Sequence, residues 1–301
     1  MTPQRKATII SSSVAAALTL MKLVVGIASG SVAVLASAVD SVLDMFVSLF
    51  NYFAVLNSEK PADKLFNYGR GKIEALALVI EGSIITLSGL YLLYQAAQKA
   101  LTGSESQYLG VSIYVMIASL IITLCLVGYL NCVAKSTRSM VIEADALHYK
   151  TDVLSNLAVL ISLAVVGYTG YELVDVLIGA GIAFYIIYSA FELIKKGVLV
   201  LLDRALDDEL VRNIEQVIVA AERVNGFHLL KTREAAHHSF VDVHVVFDAS
   251  ITLVEAHKIT HKIEAQIKQL DQGRKWIINI HMDPYDDYWV NDMPKQKPQP
   301  Q

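Results

Sequence analysis

Apolar residues dominate the first two thirds of the chain in long blocks, and polar residues break them only briefly. A bilayer core needs about 20 consecutive apolar residues per helix. Blocks of that length run near Ala7–Ser29, Ser31–Leu56, Ile73–Ala97, Leu109–Ala134, Met140–Tyr168 and Val174–Leu193, which predicts six membrane-spanning helices. Pro61 is the only proline between Pro3 and Pro284 and falls in a loop, so no proline kinks a span. After about Leu202 the pattern changes. Leu210, Ile214, Val217, Ile218 and Ala221 repeat at helical spacing in Asp207–Glu222, and Thr252–Leu270 is a second amphipathic helix. Phe227–Thr232, Phe240–Phe247 and Trp276–His281 read as strands. In the second of them Val241, Val243, Val245 and Phe247 share one face, with Asp242 and His244 on the other.

The expected architecture is a six-helix transmembrane bundle over residues 1–202, followed by a small α+β domain of order αββαβ, ferredoxin-like, over 203–290. A proline- and glutamine-rich tail, 291–301, is expected to be disordered. Composition agrees with a membrane protein: 54% of residues are hydrophobic and 18% charged, against about 25% charged in soluble domains. The net charge of −4 leaves no basic footprint for nucleic acid. Cys125 and Cys132 stand alone in one apolar block, too few for a disulfide framework, and are expected to be buried hydrophobes. The first apolar block has no convincing cleavage site, so it reads as a span and not a signal peptide. Arg5, Lys6, Lys60, Lys64, Arg70, Lys72, Lys135 and Arg138 fall at the N-terminus and in the even-numbered loops. The positive-inside rule therefore puts both termini in the cytoplasm.

The chemistry lies in ionisable groups inside the spans. Span two carries Asp40 and Asp44 and span five carries His148 and Asp152, each pair at i,i+4 and so on one helix face. A carboxylate at the bilayer centre costs at least about 2.5–3.5 kcal/mol, so such groups need a purpose. Three carboxylates repel one another unless a cation joins them, and with one imidazole they fill a four-coordinate shell. Helix-helix polar contacts or a proton relay are the plainer readings of each pair alone. Carboxylate with imidazole suits Zn²⁺ or Fe²⁺, with Mn²⁺, Co²⁺ and Cd²⁺ also within reach. Lys22 is expected to snorkel to the headgroups, and Glu81 to be a carboxyl hydrogen-bonded to another helix, with a proton carrier as the alternative. Seven of the eight histidines fall after residue 227, a density that itself points to metal binding in the second domain. His237 and His238 read as a hairpin tip.

The pairs DxxxD and HxxxD, the six spans, the αββαβ domain and the stretches YGRGKIEAL, EADALHYKTD and LLDRAL resemble the cation diffusion facilitator family, and within it the bacterial ferrous-iron and zinc efflux branch. The resemblance covers Ala7 to about Pro284. It implies a homodimer in the lipid bilayer that exchanges cytoplasmic divalent metal for protons by alternating access, with Asp40, Asp44, His148 and Asp152 as the transport site. It also implies a cytoplasmic binuclear metal site of His228, His244, His257, His281 and Asp283; whether His261 adds a ligand or is simply exposed stays open. Lys72 and Asp203 match the family's inter-subunit charge interlock; the plainer alternative is a positive-inside lysine and an acidic helix cap. Asp63 matches one ligand of a further loop site, but Phe66 and Arg70 stand where that site has histidines, so the loop site is expected to be absent. The sequence has no HExxH, which speaks against an intramembrane metalloprotease. A metal sensor would have little use for intramembrane ligands. The expected function is a secondary transporter, with no enzymatic activity.

Overall fold

The computed structural model describes residues 1–29, 32–102, 110–169, 173–235 and 238–286. The expected tail, 291–301, and His237 lie outside the described residues. The chain divides into two compact units, Met1–Leu201 and Leu202–Gln301.

The first unit holds six long helices among the described residues: α1 (Pro3–Ser29), α2 (Val32–Ser58), α3 (Lys72–Thr102), α4 (Gly110–Thr137), α5 (Met140–Thr169) and α6 (Leu173–Leu201). All except α5 have an apolar stretch long enough to cross a bilayer by length and composition. The first half of α5 carries Glu143, Asp145, His148, Lys150 and Asp152, and yet this helix is the hub. It touches each of the other five helices, and Val141, Ile142, Ala144, Asp145, Ala146, His148, Tyr149 and Thr151 are buried there. Its start is anchored by Glu74, a buried carboxylate on α3. Glu74 accepts hydrogen bonds from the Met140 backbone N–H and the Ser139 hydroxyl, both at 3.1 Å. An anion at a helix N-terminus satisfies free N–H groups and complements the macrodipole. Ser58, the last residue of α2, also donates to Glu74 at 3.1 Å, so one carboxylate ties three helices together.

Lipid gives helices no hydrophobic reason to associate, so close packing of small residues does the work. The α3–α6 seam is built that way. A Cβ placed on Gly197 would lie 2.8 Å from the Ala75 carbonyl oxygen and 2.8 Å from Val79 Cγ2. Gly197→Ala is expected to push the two helices apart at a cost of about 1–3 kcal/mol, read as a lower melting temperature of the detergent-solubilised protein. Gly128→Ala, where a Cβ meets nothing within 4 Å, is the control and should melt like the parent. Equal melting of both variants would contradict the tight seam. Cys125 and Cys132 correct the sequence reading, since both are exposed on α4. In a bilayer an apolar side chain need not be covered by protein, so hydrophobicity alone does not predict protein burial.

The second unit has the order α7 (Asp208–Val219), β1 (Val224–Ala235), β2 (His238–Phe247), α8 (Leu253–Leu270) and β3 (Lys275–Asp283), the αββαβ order that the spacing predicts. The sheet order is β1-β2-β3, with β1 and β2 antiparallel and β2 and β3 parallel. The parallel pair needs a crossover, and α8 supplies it. Thr252 caps α8 in a capping box with Glu255. Ile214 and Ile218 of α7 and Ala256, Ile263 and Ile267 of α8 pack on Val241, Val243, Val245 and Phe247. Both helices therefore cover one face of the sheet. His244 alternates with those valines and stands on the other face.

Candidate metal sites

α2 and α5 bring three of the four intramembrane residues together. His148 Nε2 lies 3.2 Å from Asp44 Oδ1 and 3.9 Å from Asp152 Oδ2. One ligand atom from each of the three lies within 4.8 Å of the others. Two ligands at about 2.0–2.1 Å from a tetrahedral zinc are roughly 3.3 Å apart, so the Asp44–His148 separation is already that of a chelating pair. Asp40 is not within this group. It sits one turn away along α2, exposed, and lines the same cavity of about 340 Å³. The i,i+4 spacing gives Asp40 and Asp44 a common face; the helix pitch leaves Asp40 one turn, about 5.4 Å, further along.

The cavity extends from the site toward the end of the bundle where α1 finishes and α2 begins, with Lys22, Ser37, Gln95, Ser155 and Asn156 among its lining. Lys22 is a correction to the snorkelling expectation. Its Nζ donates to the Ser41 hydroxyl at 2.7 Å and the Ser37 carbonyl at 3.4 Å. The ammonium thus points into the cavity that Asp40, Asp44 and Asp152 also line.

Toward the other end lies a group of buried polar side chains. The Asn51 amide donates to Glu81 at 3.1 Å and to Asp145 at 3.2 Å, linking α2, α3 and α5. Asn51, Glu81 and Asp145 are fully buried. The Ser48 hydroxyl and the Tyr149 phenol are 2.6 Å apart beside them. Glu81 is thus hydrogen-bonded to another helix, as expected, but sequence reasoning missed Asp145 and Asn51. A signal for Asp145 was available: it is a third acidic residue in the span-five block that carries HxxxD.

In the second unit the register explains the histidines. His228 pairs with His244 across β1 and β2, and His244 with His281 across β2 and β3. The three therefore form one row across three strands. A bulge between His228 and Lys231 interrupts β1 at this point, and bulges are over-represented next to functional sites, where they re-aim side chains. Asp283 lies two residues beyond His281 and so shares its face. Its Oδ2 is 2.9 Å from His244 Nδ1 and 3.3 Å from His228 Nε2, and its Oδ1 is 3.1 Å from His281 Nε2. His228, His244 and Asp283 offer ligand atoms within 4.8 Å of one another. His257 does not join them within the chain. It is exposed on α8, which packs on the opposite face of the sheet, and its Nε2 lies 3.1 Å from that of His261.

In the loop after α2, Asp63 accepts the backbone N–H groups of Leu65 and Phe66 at 2.9 Å each. Arg70 pairs with the same carboxylate and stacks over the Phe66 ring at 4.3 Å. The Phe66 N–H foremost, with the Leu65 N–H and the Arg70 guanidinium, holds the Asp63 carboxyl below its usual range. Lys72 Nζ donates to the Leu201 carbonyl at 3.2 Å, and Asp203 Oδ1 accepts from Arg233 Nη1 at 3.3 Å.

Comparison with known proteins gives one answer for both units. Residues 8–202 match the model of the cation efflux transmembrane domain, and residues 206–285 that of the cation efflux protein cytoplasmic domain. Proteins named cation-efflux pump FieF from Klebsiella pneumoniae and Citrobacter koseri are each 36% identical over 279 residues, covering 93% of this chain and 92% of theirs. The FieF pump of Escherichia coli K12 is similar to the same extent.

Proposed function

The chain belongs to the cation efflux family, and from that premise we propose that it exports a divalent metal ion from the cytoplasm in exchange for protons. The transport site in this reading is Asp40, Asp44, His148 and Asp152. The observation that carries it is the meeting of Asp44, His148 and Asp152 in one ligand-sized group between two membrane helices. Lipid would exclude such a group unless a cation or protons neutralised it. Asp40, on the same face of α2 and in the same cavity, completes the shell by a small movement of that helix or its own side chain. Three carboxylates and an imidazole favour Zn²⁺ or Fe²⁺. These ligands must shed protons to bind metal, and imidazole is the side chain whose ordinary pKa lies nearest physiological pH. Metal and protons compete for one set of atoms, which is the minimum requirement of antiport.

The basic residues orient the chain with both termini in the cytoplasm, in the inner membrane. The cavity then lies on the outer side of the site and the Asn51–Glu81–Asp145 contact closes the inner side, an outward-facing state of an alternating-access cycle. The second unit serves a homodimer. Its sheet-face group, His228, His244, His281 and Asp283, takes cytoplasmic metal and makes association depend on it. His257, exposed on α8, belongs to the same binuclear site in this reading and joins it at the dimer interface. Lys72 and Asp203 form the inter-subunit charge interlock.

The test is transport in proteoliposomes with an entrapped metal indicator and a pH dye. The parent should move Zn²⁺ or Fe²⁺ with opposite proton flux, and His148→Ala and Asp152→Ala should move neither. A sensor or an enzyme would move no metal in any variant. Undiminished antiport in both variants would remove the assignment.

A further inference from the structure

Among the described residues that line the intramembrane cavity, Lys22 and His148 are the only basic side chains, and the transport reading gives Lys22 no task. Its place is built. The Thr19 hydroxyl, three residues earlier on α1, donates to the Ser41 carbonyl at 2.8 Å, which pins α1 to α2 beside Asp40. From that anchor the Lys22 ammonium donates to the Ser41 hydroxyl and the Ser37 carbonyl, and these bonds hold it at α2. Ser37 and Ser41 both precede Asp44 along α2, and the cavity extends toward the start of that helix. The ammonium therefore stands on the open side of Asp44. It forms no ion pair with Asp40, Asp44 or Asp152 among the described residues, so it faces them across the cavity without taking up a ligand oxygen.

We propose that Lys22 is a tethered competitor of the transported ion, whose positive charge weakens metal binding at the intramembrane group and speeds release through the cavity. The inference rests on the transport reading. Carboxylates and an imidazole closing on one ion inside a membrane make a tight site, and tight sites release slowly. A positive charge on the exit side raises the free energy of a divalent ion held there, and a low-dielectric interior strengthens that repulsion. The emptied site gains from the same charge, because carboxylates inside a membrane are costly without a cation. One side chain thus destabilises the loaded state and stabilises the emptied one. Lys22 is no ligand, since an ammonium has no acceptor atom to offer metal. It acts on the ion through space.

The test measures Zn²⁺ binding to the full chain in detergent, in mildly alkaline buffer where protons compete least. Every protein carries Asp283→Ala to remove metal from the second unit, and the zinc that Asp44→Ala fails to hold defines the membrane site. Lys22→Gln is expected to bind that zinc about 10-fold more tightly and to release it into a chelator more slowly by a similar factor. Lys22→Met, neutral and of similar length, should repeat the result, and Lys22→Arg, which keeps the charge, should behave like the parent. In proteoliposomes Lys22→Gln should lower KM and kcat together, the pattern of a lost ground-state destabilisation. A side chain needed only for folding would lower kcat without tightening the site. Parental or weaker zinc binding in both neutral variants would overturn the proposal, and so would Lys22→Arg behaving like Lys22→Gln. A parent that moves no metal would instead defeat the transport reading, and the binding series would still decide whether Lys22 opposes metal at this group.

Discussion

Asp44→Ala is expected to abolish metal transport and to weaken metal binding in the membrane unit by at least about 100-fold. Altering an outer-shell partner of a metal ligand already costs about 10–100-fold, and Asp44 is a ligand itself in the proposed site. Its Oδ1 stands 3.2 Å from His148 Nε2, the closest contact between the two helices' ligands. Removing it leaves His148 and Asp152, both from α5, so the ion would lose every bond to α2 except one through Asp40. A site that spans two helices can sense their relative movement, whereas a site on one helix cannot. Asp44→Ala should therefore cost more transport than binding. Asp44→Asn separates charge from shape: the amide keeps the volume but lacks the negative charge that draws a divalent cation into lipid. Equilibrium dialysis and proteoliposome flux on the same preparations check both. Flux at parental levels in Asp44→Ala would exclude the α2–α5 site as the route.

The second large effect is expected at Asp283. Its two oxygens meet three imidazoles from all three strands, at 2.9 Å, 3.3 Å and 3.1 Å. It is the one carboxylate among three imidazoles in this group. Asp283→Ala should strip the second unit of its tightest metal and, through mass action, lower metal-dependent association of the full chain. Sedimentation with and without a chelator reads this directly. The parent should shift toward dimer with Zn²⁺ and the variant should not. His281→Ala should show a smaller effect, since His281 is exposed and outside the three ligands that already lie within 4.8 Å. Association of Asp283→Ala that still responds to zinc would separate dimerisation from this group.

Much of this was legible in the sequence because membranes and small sheets enforce simple periods. Lipid demands long apolar runs with every backbone group paired internally, so six helices could be counted from hydropathy. The i,i+4 pairs Asp40–Asp44 and His148–Asp152 follow from 3.6 residues per turn, and the alternation in Phe240–Phe247 puts His244 opposite the valines. What periodicity cannot give is the relation between elements. Lys22 reads as a snorkelling residue until α2 is seen to offer it the Ser41 hydroxyl and a cavity of carboxylates. Asn51 reads as an ordinary polar residue of span two until Glu81 and Asp145 meet it from two other helices.

The chain alone determined which residues can bind metal, because ligand chemistry belongs to the side chain, and which of them share a helix or strand face, because that is local geometry. Only the tertiary structure decided the company each one keeps. The register of β1, β2 and β3 gathers His228, His244, His281 and Asp283 into a single group, while α8 packs on the other face of the sheet and sets His257 beside His261 within the chain. Register and packing are settled by burial of the valine face against α7 and α8, a cooperative property of the whole unit that no short stretch of sequence contains.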